Sequence, residues 1–409
     1  MQLIFVLVII LDICYNMNVL GYKKTMFFKK GGDNMSNVLV NNGIQITSEI
    51  GEWYSLASKY GVSPQEVGLI DFNRTGVCLD DNDVKVGFRT RFNGTLFYGN
   101  DLSWFALPVR SYVDSNFHIQ DVKVFFKKFQ IGTIDKPVLD TCDTSYQRGR
   151  KLLNLNSRSR SNCAGCKACV HNDKALYDDT VIKDKHELRT ADEIEDFFRK
   201  KERLGVRIDE LDQIAVVTGL FSNEQEVLEH MSIVYNVAVG YGFHGELMYF
   251  GCQLMSGSAL KEFSKFGKTA IVFAIDNFTK RKENLSMVKS GYELEDFYAS
   301  MSLAKSYGIE TTFAYIVGVD DLRAIAKNFN YFFNVCTRFP VVNIFQIQTN
   351  LQAQVLHDDA RVLEYYIQAR LIMEKIFKDS NMRPRRWENY RPLWYREFSD
   401  ECLDVKAYG

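Results

Sequence analysis

The chain has 409 residues, of which 46% are hydrophobic and 25% charged, so it can bury a large core and is not expected to be disordered. Its 50 basic and 51 acidic side chains give a formal net charge of -1. That balance provides no electrostatic reason to expect nucleic acid or an anionic membrane as a partner. Length and composition predict one large domain with a smaller one beside it.

The N-terminal residues are open to two interpretations. Residues 3–10 form an apolar run, LIFVLVII, that is too short to span a bilayer. It also lacks the positive flank of a secretory signal. Residues 29–35 (KKGGDNM) can be encoded by a ribosome-binding sequence placed shortly before an ATG codon. We therefore expect translation to start at Met35 and residues 1–34 to be translated leader, with a membrane-associated N-terminus as the alternative.

Residues 35–140 are predicted to form a smaller α+β domain without metal-ligand spacing or a phosphate loop. Within it, residues 52–60 have a helical pattern. Residues 84–98 alternate like a β-hairpin whose turn is expected at Asn93 and Gly94. This domain either shapes a substrate pocket or serves only as a structural unit.

After residue 151, short apolar runs alternate with helical patterns, which is typical of parallel βα units. The apolar runs are residues 152–155, 214–217, 246–250, 270–275, 311–317 and 341–347. The helical patterns between them are residues 223–235, 258–266, 294–307 and 321–333. Six βα units in series predict a closed or partly closed parallel barrel with its chemistry at the carboxyl ends of the strands. Periodicity alone does not distinguish this barrel from an open doubly wound sheet.

Cysteine usage indicates a reducing compartment and a metal site. Six of the nine cysteines lie far apart in the sequence and make a poor disulfide framework, so we expect a cytoplasmic protein. These are Cys14, Cys78, Cys142, Cys252, Cys336 and Cys402. The other three, Cys163, Cys166 and Cys169, lie within seven residues, a spacing more typical of metal ligands than of disulfides.

Residues 161–170 read SNCAGCKACV, a Cys-x2-Cys-x2-Cys motif that follows the first predicted strand. Three thiolates on an iron–sulfur cube leave one iron free to bind something other than protein. Structural zinc would need a fourth ligand, for which His171 is near in sequence, although its spacing departs from common zinc fingers. From the motif alone, an open cluster, a zinc site and a chance grouping all stay open.

In its βα setting the motif resembles that of the radical S-adenosylmethionine (SAM) superfamily. Those proteins place three clustered cysteines in the loop after the first strand of a partial (β/α)6 TIM-type barrel. The resemblance covers residues 151–350, roughly half of the chain. Two departures are the two-residue first gap, where three is usual, and Ala168, which takes the place of an aromatic residue before the last cysteine.

The resemblance also implies positions that bind SAM. Those that follow strands two and four are Thr218 and Gly219, near the amino group, and Asp276 and Asn277, near the ribose. Those that end strands five and six are Tyr315, Val317 and Gly318, which resemble the Gly-x-Ile-x-Gly element behind the adenine, and Gln346. Gln348 is a further candidate on strand six, while Glu224 and Glu226 stand near the expected amino-group site. The alternative for Asp276, Asn277 and both glutamines is a strand-end turn or polar cap.

What the resemblance implies is an oxygen-sensitive enzyme in which Cys163, Cys166 and Cys169 hold a [4Fe–4S] cluster. Reductive cleavage of SAM at the open iron would give a 5′-deoxyadenosyl radical that removes hydrogen from a small-molecule or peptide substrate. A flavodoxin or ferredoxin would supply the electron. The alternative function is a zinc-stabilised, non-catalytic binding module on a βα scaffold.

Residues 351–409 are predicted to be a C-terminal extension that caps the barrel. Residues 361–378 have the pattern of an amphipathic helix, and residues 383–395 are dense in arginine and aromatic side chains. This second segment either packs as a cap or binds an anionic or planar substrate.

Overall fold

The computed structural model describes most of the chain from residue 51 onward. The described residues are 39–41, 44–46, 51–79, 88–94, 102–107, 115–134, 138–139, 145–147, 152–155, 157, 165–169, 188–347, 350–385 and 391–400. The expected leader, Cys163, His171 and Gln348 lie outside these ranges. Chain contacts divide the protein into two compact units, Met1–Pro64 and Gln65–Gly409. This boundary falls inside the expected 35–140 domain, whose limits stay a prediction.

The first unit contains a short antiparallel pair and a helix. Strands β1 (Leu39–Asn41) and β2 (Ile44–Ile46) pair antiparallel. Helix α1 (Gly51–Tyr60) follows and buries Trp53, which confirms the helix predicted at residues 52–60. The next helix, α2 (Pro64–Thr75), leads into the second unit.

The second unit begins with a mostly antiparallel sheet. Its strands are β3 (Cys78–Leu79), β4 (Phe88–Gly94), β5 (Leu102–Leu107), β6 (Phe117–Gln120), β7 (Lys123–Phe126), β8 (Phe129–Ile134) and β9 (Val138–Leu139). They are ordered β3-β6-β7-β8-β4-β5, with β9 paired to β4. Phe117 packs edge-on against Phe72 of α2 at 4.9 Å between ring centres, which ties this sheet to the helix.

The hairpin turn predicted at Asn93 and Gly94 is wrong. Asn93 is paired with Leu102 of β5, and Gly94 is paired with Gly132 of β8. Both residues are therefore the end of strand β4, and the connection to β5 begins after them. An Asn-Gly pair favours a turn locally, but here pairing with two neighbouring strands holds it extended.

The second sheet carries the predicted βα units. Its strands are β10 (Ser145–Gln147), β11 (Leu152–Leu155), β12 (Gln213–Val217), β13 (Glu246–Gly251), β14 (Lys268–Asp276), β15 (Glu310–Val317) and β16 (Val341–Ile344). Strand β10 is antiparallel to β11, and each later strand pairs in parallel with the one before it in sequence. A doubly wound sheet would reverse this order at a switch point. The sequential order is that of a half-barrel, as expected for a partial TIM-type core.

Helices connect and cover these strands. They are α3 (Ala191–Arg203), α4 (Glu224–Gly240), α5 (Gly257–Phe263), α6 (Arg281–Asn284), α7 (Met287–Ser290), α8 (Leu294–Ser306), α9 (Leu322–Phe332), α10 (Asn350–Ala353) and α11 (Leu363–Phe377). Short 3-10 turns occur at Ile208–Glu210, Phe333–Val335 and Asp358–Arg361. None of the described helices combines the length and apolar character needed to cross a bilayer.

The two faces of the parallel sheet pack differently. One face presents a cluster of small and aliphatic side chains: Ala215, Met248, Ala270, Val272, Ala314 and Val341. The other packs large rings against helices, with Phe273 near Phe297 of α8 and Phe313 near Phe329 of α9. The side chains of each strand therefore alternate between the cluster and the helical layer.

The C-terminal segment packs against the same unit. Ile344 of β16 donates its amide hydrogen to the carbonyl of Arg391 at 2.7 Å, and Arg391 donates its own to Asn343 Oδ1. Trp394 Nε1 donates to Glu374 of α11, and the Tyr395 hydroxyl donates to the Leu69 carbonyl of α2. Residues 391–395 thus cover the edge strand and join it to two helices, as a packed cap does.

Candidate functional site

The cysteine loop follows β11 in sequence, and its described part is residues 165–169. The side chains of Cys166 and Cys169 are half-buried, and the Cys169 amide donates to the Cys166 carbonyl at 3.0 Å. Cys163 lies outside the described residues. The described part of the loop therefore holds two of the three expected thiols.

The loop lies on a second segment that the motif did not identify. We call residues 277–293 the β14–α8 connection. The Ser286 amide hydrogen is donated to Cys166 Sγ, with 3.1 Å between nitrogen and sulfur. The Lys167 amide donates to the Asn284 carbonyl at 2.8 Å. An amide donor to a cysteine sulfur stabilises the thiolate form, which is the form that binds metal.

Arg281 holds the β14–α8 connection in place. Its guanidinium is buried and donates to the carbonyls of Ile275 at 2.7 Å, Asn277 at 2.8 Å and Lys289 at 2.9 Å. It also lies 5.3 Å from the ring centre of Phe297. Burial lowers the pKa of Arg281, but the pKa of an arginine lies so far above neutral pH that the side chain stays charged. One buried cation therefore fixes both ends of the segment that contacts the cysteine loop.

Asp276 ends strand β14 as predicted, and its partner is Lys289. Lys289 Nζ lies 2.5 Å from Asp276 Oδ2, and the two side chains are 19% and 14% exposed. Burial acts to lower the pKa of Lys289, but the charges of Asp276, Cys166 and Cys252 raise it above its ordinary value. Lys289 is thus a cation at neutral pH, and it lies close enough to Cys166 for the sulfur to affect it.

Asn277 has a role in the turn. It is buried, its amide donates to the Ile275 carbonyl at 2.8 Å, and its side-chain nitrogen donates to the Thr279 carbonyl. Its side-chain oxygen has no hydrogen-bond partner among the described residues. These contacts are those of a strand-end turn, and a role of Asn277 toward SAM stays a prediction.

Thr218 is half-buried and Gly219 is buried in the segment that leaves β12. The Gln253 side chain, which follows β13, binds the backbone of this segment. It accepts a hydrogen bond from the Phe221 amide at 2.9 Å and donates one to the Phe221 carbonyl at 2.8 Å. The position after β12 therefore has a fixed backbone, as a ligand-contacting turn requires.

The two nearby glutamates are engaged in capping. Glu224 accepts the amide hydrogens of Met255 at 2.6 Å and Ser256 at 2.8 Å, next to the start of α5. Glu226 accepts the Ser222 amide at 2.6 Å before α4. Both carboxylates therefore organise helix starts near the expected amino-group site.

Strand β15 directs its predicted residues away from the cysteine loop. Tyr315 is fully buried, stacks on Phe278 at 4.7 Å and meets Phe329 of α9 edge-on at 5.3 Å. Val317 follows two residues later and therefore points to the same helical layer. Ile316, between them, packs in the cluster that includes Ala168. Of these strand residues, Ile316 thus lies on the same side as the loop.

Gly318 lies close to helix α11 in a backbone conformation that favours glycine. It has φ +117°, and a Cβ there would lie 3.1 Å from the Tyr366 hydroxyl oxygen. Its carbonyl accepts the His357 amide hydrogen at 2.8 Å. Gly318 therefore serves the packing of the strand end, whatever else it contacts.

Ala168 occupies the position where the family has an aromatic residue. It packs against Val319, Phe345 and Val355, and its carbonyl accepts a hydrogen bond from Gln352 Nε2 at 3.0 Å. An aromatic ring would not fit this contact without displacing its neighbours, because buried side chains are closely packed. The loop thus rests on the ends of β15 and β16 as well as on the β14–α8 connection.

Gln346 is turned toward helix α2. It is 1% exposed, and its Nε2 donates to the Asn73 carbonyl at 2.6 Å and to Asn73 Oδ1 at 2.7 Å. These contacts are those of a polar side chain that caps the end of a strand, the alternative considered for Gln346.

The structure brings together Cys166, Ser286, Asp276 and Lys289, of which Ser286 and Lys289 were missed from the sequence. The side chains of Tyr315, Val317 and Gln346 are directed elsewhere. The sequence did not single out Lys289, because residues 280–282 of the same connection are also cationic, and its folding back depends on Arg281.

Comparisons with known proteins give distant structural likenesses. No protein-family model and no curated protein sequence matches the chain. Two structures of SuiB from Streptococcus suis match over 56% of this chain, each with a TM-score of 0.39. The one described as bound to S-adenosylmethionine is 10% identical, and the other is 11% identical. TsrM from Kitasatospora setae, a radical SAM methyltransferase with cobalamin and a [4Fe–4S] cluster bound, matches with a TM-score of 0.30 at 11% identity, over 49% of this chain. The chain covers 48%, 47% and 37% of those three structures, less than half of each.

Proposed function

We propose that the protein is a radical SAM enzyme whose [4Fe–4S] cluster is held by Cys163, Cys166 and Cys169. The observation that carries the proposal is the Ser286 amide donated to Cys166 Sγ at 3.1 Å, in a cysteine loop that follows the first strand of a sequential parallel half-barrel. A structural thiol in an apolar core would need no such donor. Metal thiolates commonly accept them, and such bonds tune cluster potentials.

The described residues fit the cluster in charge as well as in ligand type. A cube with three thiolates is anionic, and the Lys289 cation is half-buried, with its amide bonded to Ser286, the residue whose own amide donates to Cys166 Sγ. Cys163, Cys166 and Cys169 would hold the cluster, which would supply the electron for reductive cleavage of SAM to methionine and a 5′-deoxyadenosyl radical. The chain's own part is to hold the thiolates, to offset their charge through Lys289, and to limit water around the half-buried loop.

The substrate belongs to the same proposal. We infer a small molecule or a peptide, and a flavodoxin or ferredoxin as the source of electrons. Three of the predicted SAM-binding positions lie at strand ends and are not packed among the rings of the helical layer. They are Asp276, Thr218 and Gly219. They are proposed to contact SAM from the carboxyl ends of β12 and β14.

Anaerobic reconstitution with iron and sulfide tests the proposal. We expect a brown protein with broad visible absorption, which releases 5′-deoxyadenosine when reduced with dithionite in the presence of SAM. Cys166→Ala should lose both the absorption and the cleavage of SAM, because one thiolate ligand is removed.

The matched control is Cys336→Ala. Cys336 is buried near the amino end of β15, where burial raises the pKa of its thiol to about 12, so it stays protonated and is unsuited to bind metal. We expect this variant to keep the cluster and SAM cleavage. A colourless wild-type protein with one zinc per chain, or equal loss in both variants, would show that the proposal is wrong and favour the zinc-stabilised binding module.

A further inference from the structure

The Asp276–Lys289 ion pair is largely buried and lies at the β14–α8 connection, which contacts the cysteine loop. Lys289 Nζ and Asp276 Oδ2 are 2.5 Å apart, and both side chains are largely shielded from water. Charges in such a setting act over longer distances than exposed charges, since neither solvent nor salt screens them fully.

The pair is linked to the cysteine loop through one helical turn. The Ser286 amide donates to Cys166 Sγ at 3.1 Å, and Ser286 Oγ accepts the amide hydrogen of Lys289 at 3.4 Å. Cys166 is also among the groups whose charge raises the pKa of Lys289. The ammonium therefore lies within electrostatic reach of the Cys166 sulfur.

The backbone holds the pair in position. Asp276 has φ +64°, a left-handed conformation that residues other than glycine seldom adopt, and the pairing of β14 with β15 is irregular at this point. Arg281 bonds both the Ile275 carbonyl, next to Asp276, and the Lys289 carbonyl. The surrounding hydrogen bonds therefore hold Asp276 in this unusual backbone conformation and hold Lys289 opposite it.

We propose that the Asp276–Lys289 pair sets the reduction potential of the cluster bound at Cys166. This inference rests on the proposed function. Reduction adds one negative charge to the cluster, so a nearby cation favours the reduced state and a nearby anion opposes it. Lys289 therefore raises the potential, Asp276 lowers it, and the protein sets the value through the balance of the two.

The test is the midpoint potential of the reconstituted cluster, measured by an EPR-monitored redox titration without SAM. Lys289→Met should shift the midpoint to lower potential, because Asp276 is left as an uncompensated anion. Asp276→Asn should shift it to higher potential, because Lys289 is left as an uncompensated cation. Asparagine also tolerates the left-handed backbone at this position. The double variant should return close to the wild-type midpoint.

The matched control is Lys282→Met, which removes a lysine from the same connection. The Lys282 side chain is 81% exposed and lies 3.7 Å from Glu293, so water screens its charge and the midpoint should not move. A merely structural role for the pair would not produce shifts of opposite sign.

The outcomes separate this inference from the proposed function. If wild type forms a cluster and cleaves SAM but both single variants shift the same way, or no further than Lys282→Met, the inference is wrong and the function stands. If wild type forms no cluster, both are wrong. Should Lys289→Met fail to fold, the expected upward shift in Asp276→Asn still decides, and an unchanged or lower midpoint there overturns the inference.

Discussion

At the scale of single residues, Gly165 shows how closely the cysteine loop fits its support. It precedes Cys166, has φ +104°, and a Cβ there would lie 3.2 Å from the Ser286 Cα. Only glycine combines this backbone conformation with so close an approach. The close approach of the two backbones, together with the hydrogen bond from the Ser286 amide to Cys166 Sγ, thus sets the position of Cys166 against Ser286.

Gly165→Ala is therefore expected to lower the amount of cluster that the protein holds. The added methyl group strains the loop and moves Cys166 away from the Ser286 amide. Iron and acid-labile sulfide per chain after reconstitution measure the effect.

Gly308→Ala is the control for this change. Gly308 also has a positive φ, +77°, but a Cβ there would meet nothing within 4 Å. This variant should cost about 1–2 kcal/mol of unfolding free energy and leave cluster content unchanged. Equal cluster content in both variants would contradict the role given to Gly165.

At the scale of elements, helix α3 returns the chain from the cysteine region to the barrel and begins with a reciprocal cap. Thr190 Oγ1 accepts the Glu193 amide at 3.3 Å, while Glu193 Oε2 accepts the amides of Thr190 and Arg189 at 2.8 Å each. Hydrogen bonds from the Thr190 and Arg189 backbones lower the pKa of Glu193. The cap is thus strongest when this carboxylate is ionised.

The lowered pKa gives a pH dependence of known sign. Because the folded pKa lies below the unfolded value, Glu193 contributes stability above its unfolded pKa and loses it as pH falls through the folded pKa. Glu193→Gln keeps an acceptor oxygen but cannot titrate. We expect its melting temperature to fall less than that of wild type between pH 7 and about pH 3. An identical fall in both proteins would contradict the prediction.

Most elements of the parallel sheet follow from local pattern. The six strands and four of the helices between them were predicted within a few residues, because alternation and helical periodicity depend on neighbouring residues only. Helices α3, α6 and α7 were not predicted. Two helices also begin with local capping residues, Asn223 and Asp321. The side chain of each accepts the amide hydrogen of the residue three positions later. The Asn93–Gly94 error has the opposite cause, since distant strand pairing overrode a local turn signal.

At the scale of the whole molecule, Arg370 of α11 joins three parts of the second unit. It is 1% exposed and pairs with Glu66 of α2 at 2.6 Å, with Glu374 at 2.7 Å and with Glu397 at 3.2 Å. Burial acts to lower the pKa of Arg370, but the three carboxylates raise it, led by Glu66. Glu66 also accepts the Arg396 amide at 2.8 Å, which fastens the C-terminal segment.

Arg370→Met is expected to destabilise the protein by about 3–5 kcal/mol, because it leaves the buried Glu66 carboxylate without its cation. Urea denaturation measures the loss, and limited proteolysis should show earlier cleavage within residues 391–400. Arg199→Met removes an arginine from an ion pair in which both side chains are 48% exposed, and its stability should stay close to that of wild type. Similar stability of the two variants would contradict the joining role of Arg370.

The sequence by itself determined the βα order, the position of the cysteine loop after the first parallel strand, and the thiol side chains in that loop. These depend on residue type and on spacing along the chain, which the printed sequence contains. It did not determine which face of β15 meets the loop, because both faces of a buried parallel strand are apolar and alternation carries no signal there.

Only the tertiary structure decided what surrounds the sulfur. Ser286 lies 120 residues beyond Cys166, and Gln346 lies 273 residues beyond its partner Asn73. No local pattern records such pairs, since they form only when strand order and the buried Arg281 fold distant segments together. The thiols could be found in the sequence, whereas the donors and charges that act on them arise from chain folding over long separations.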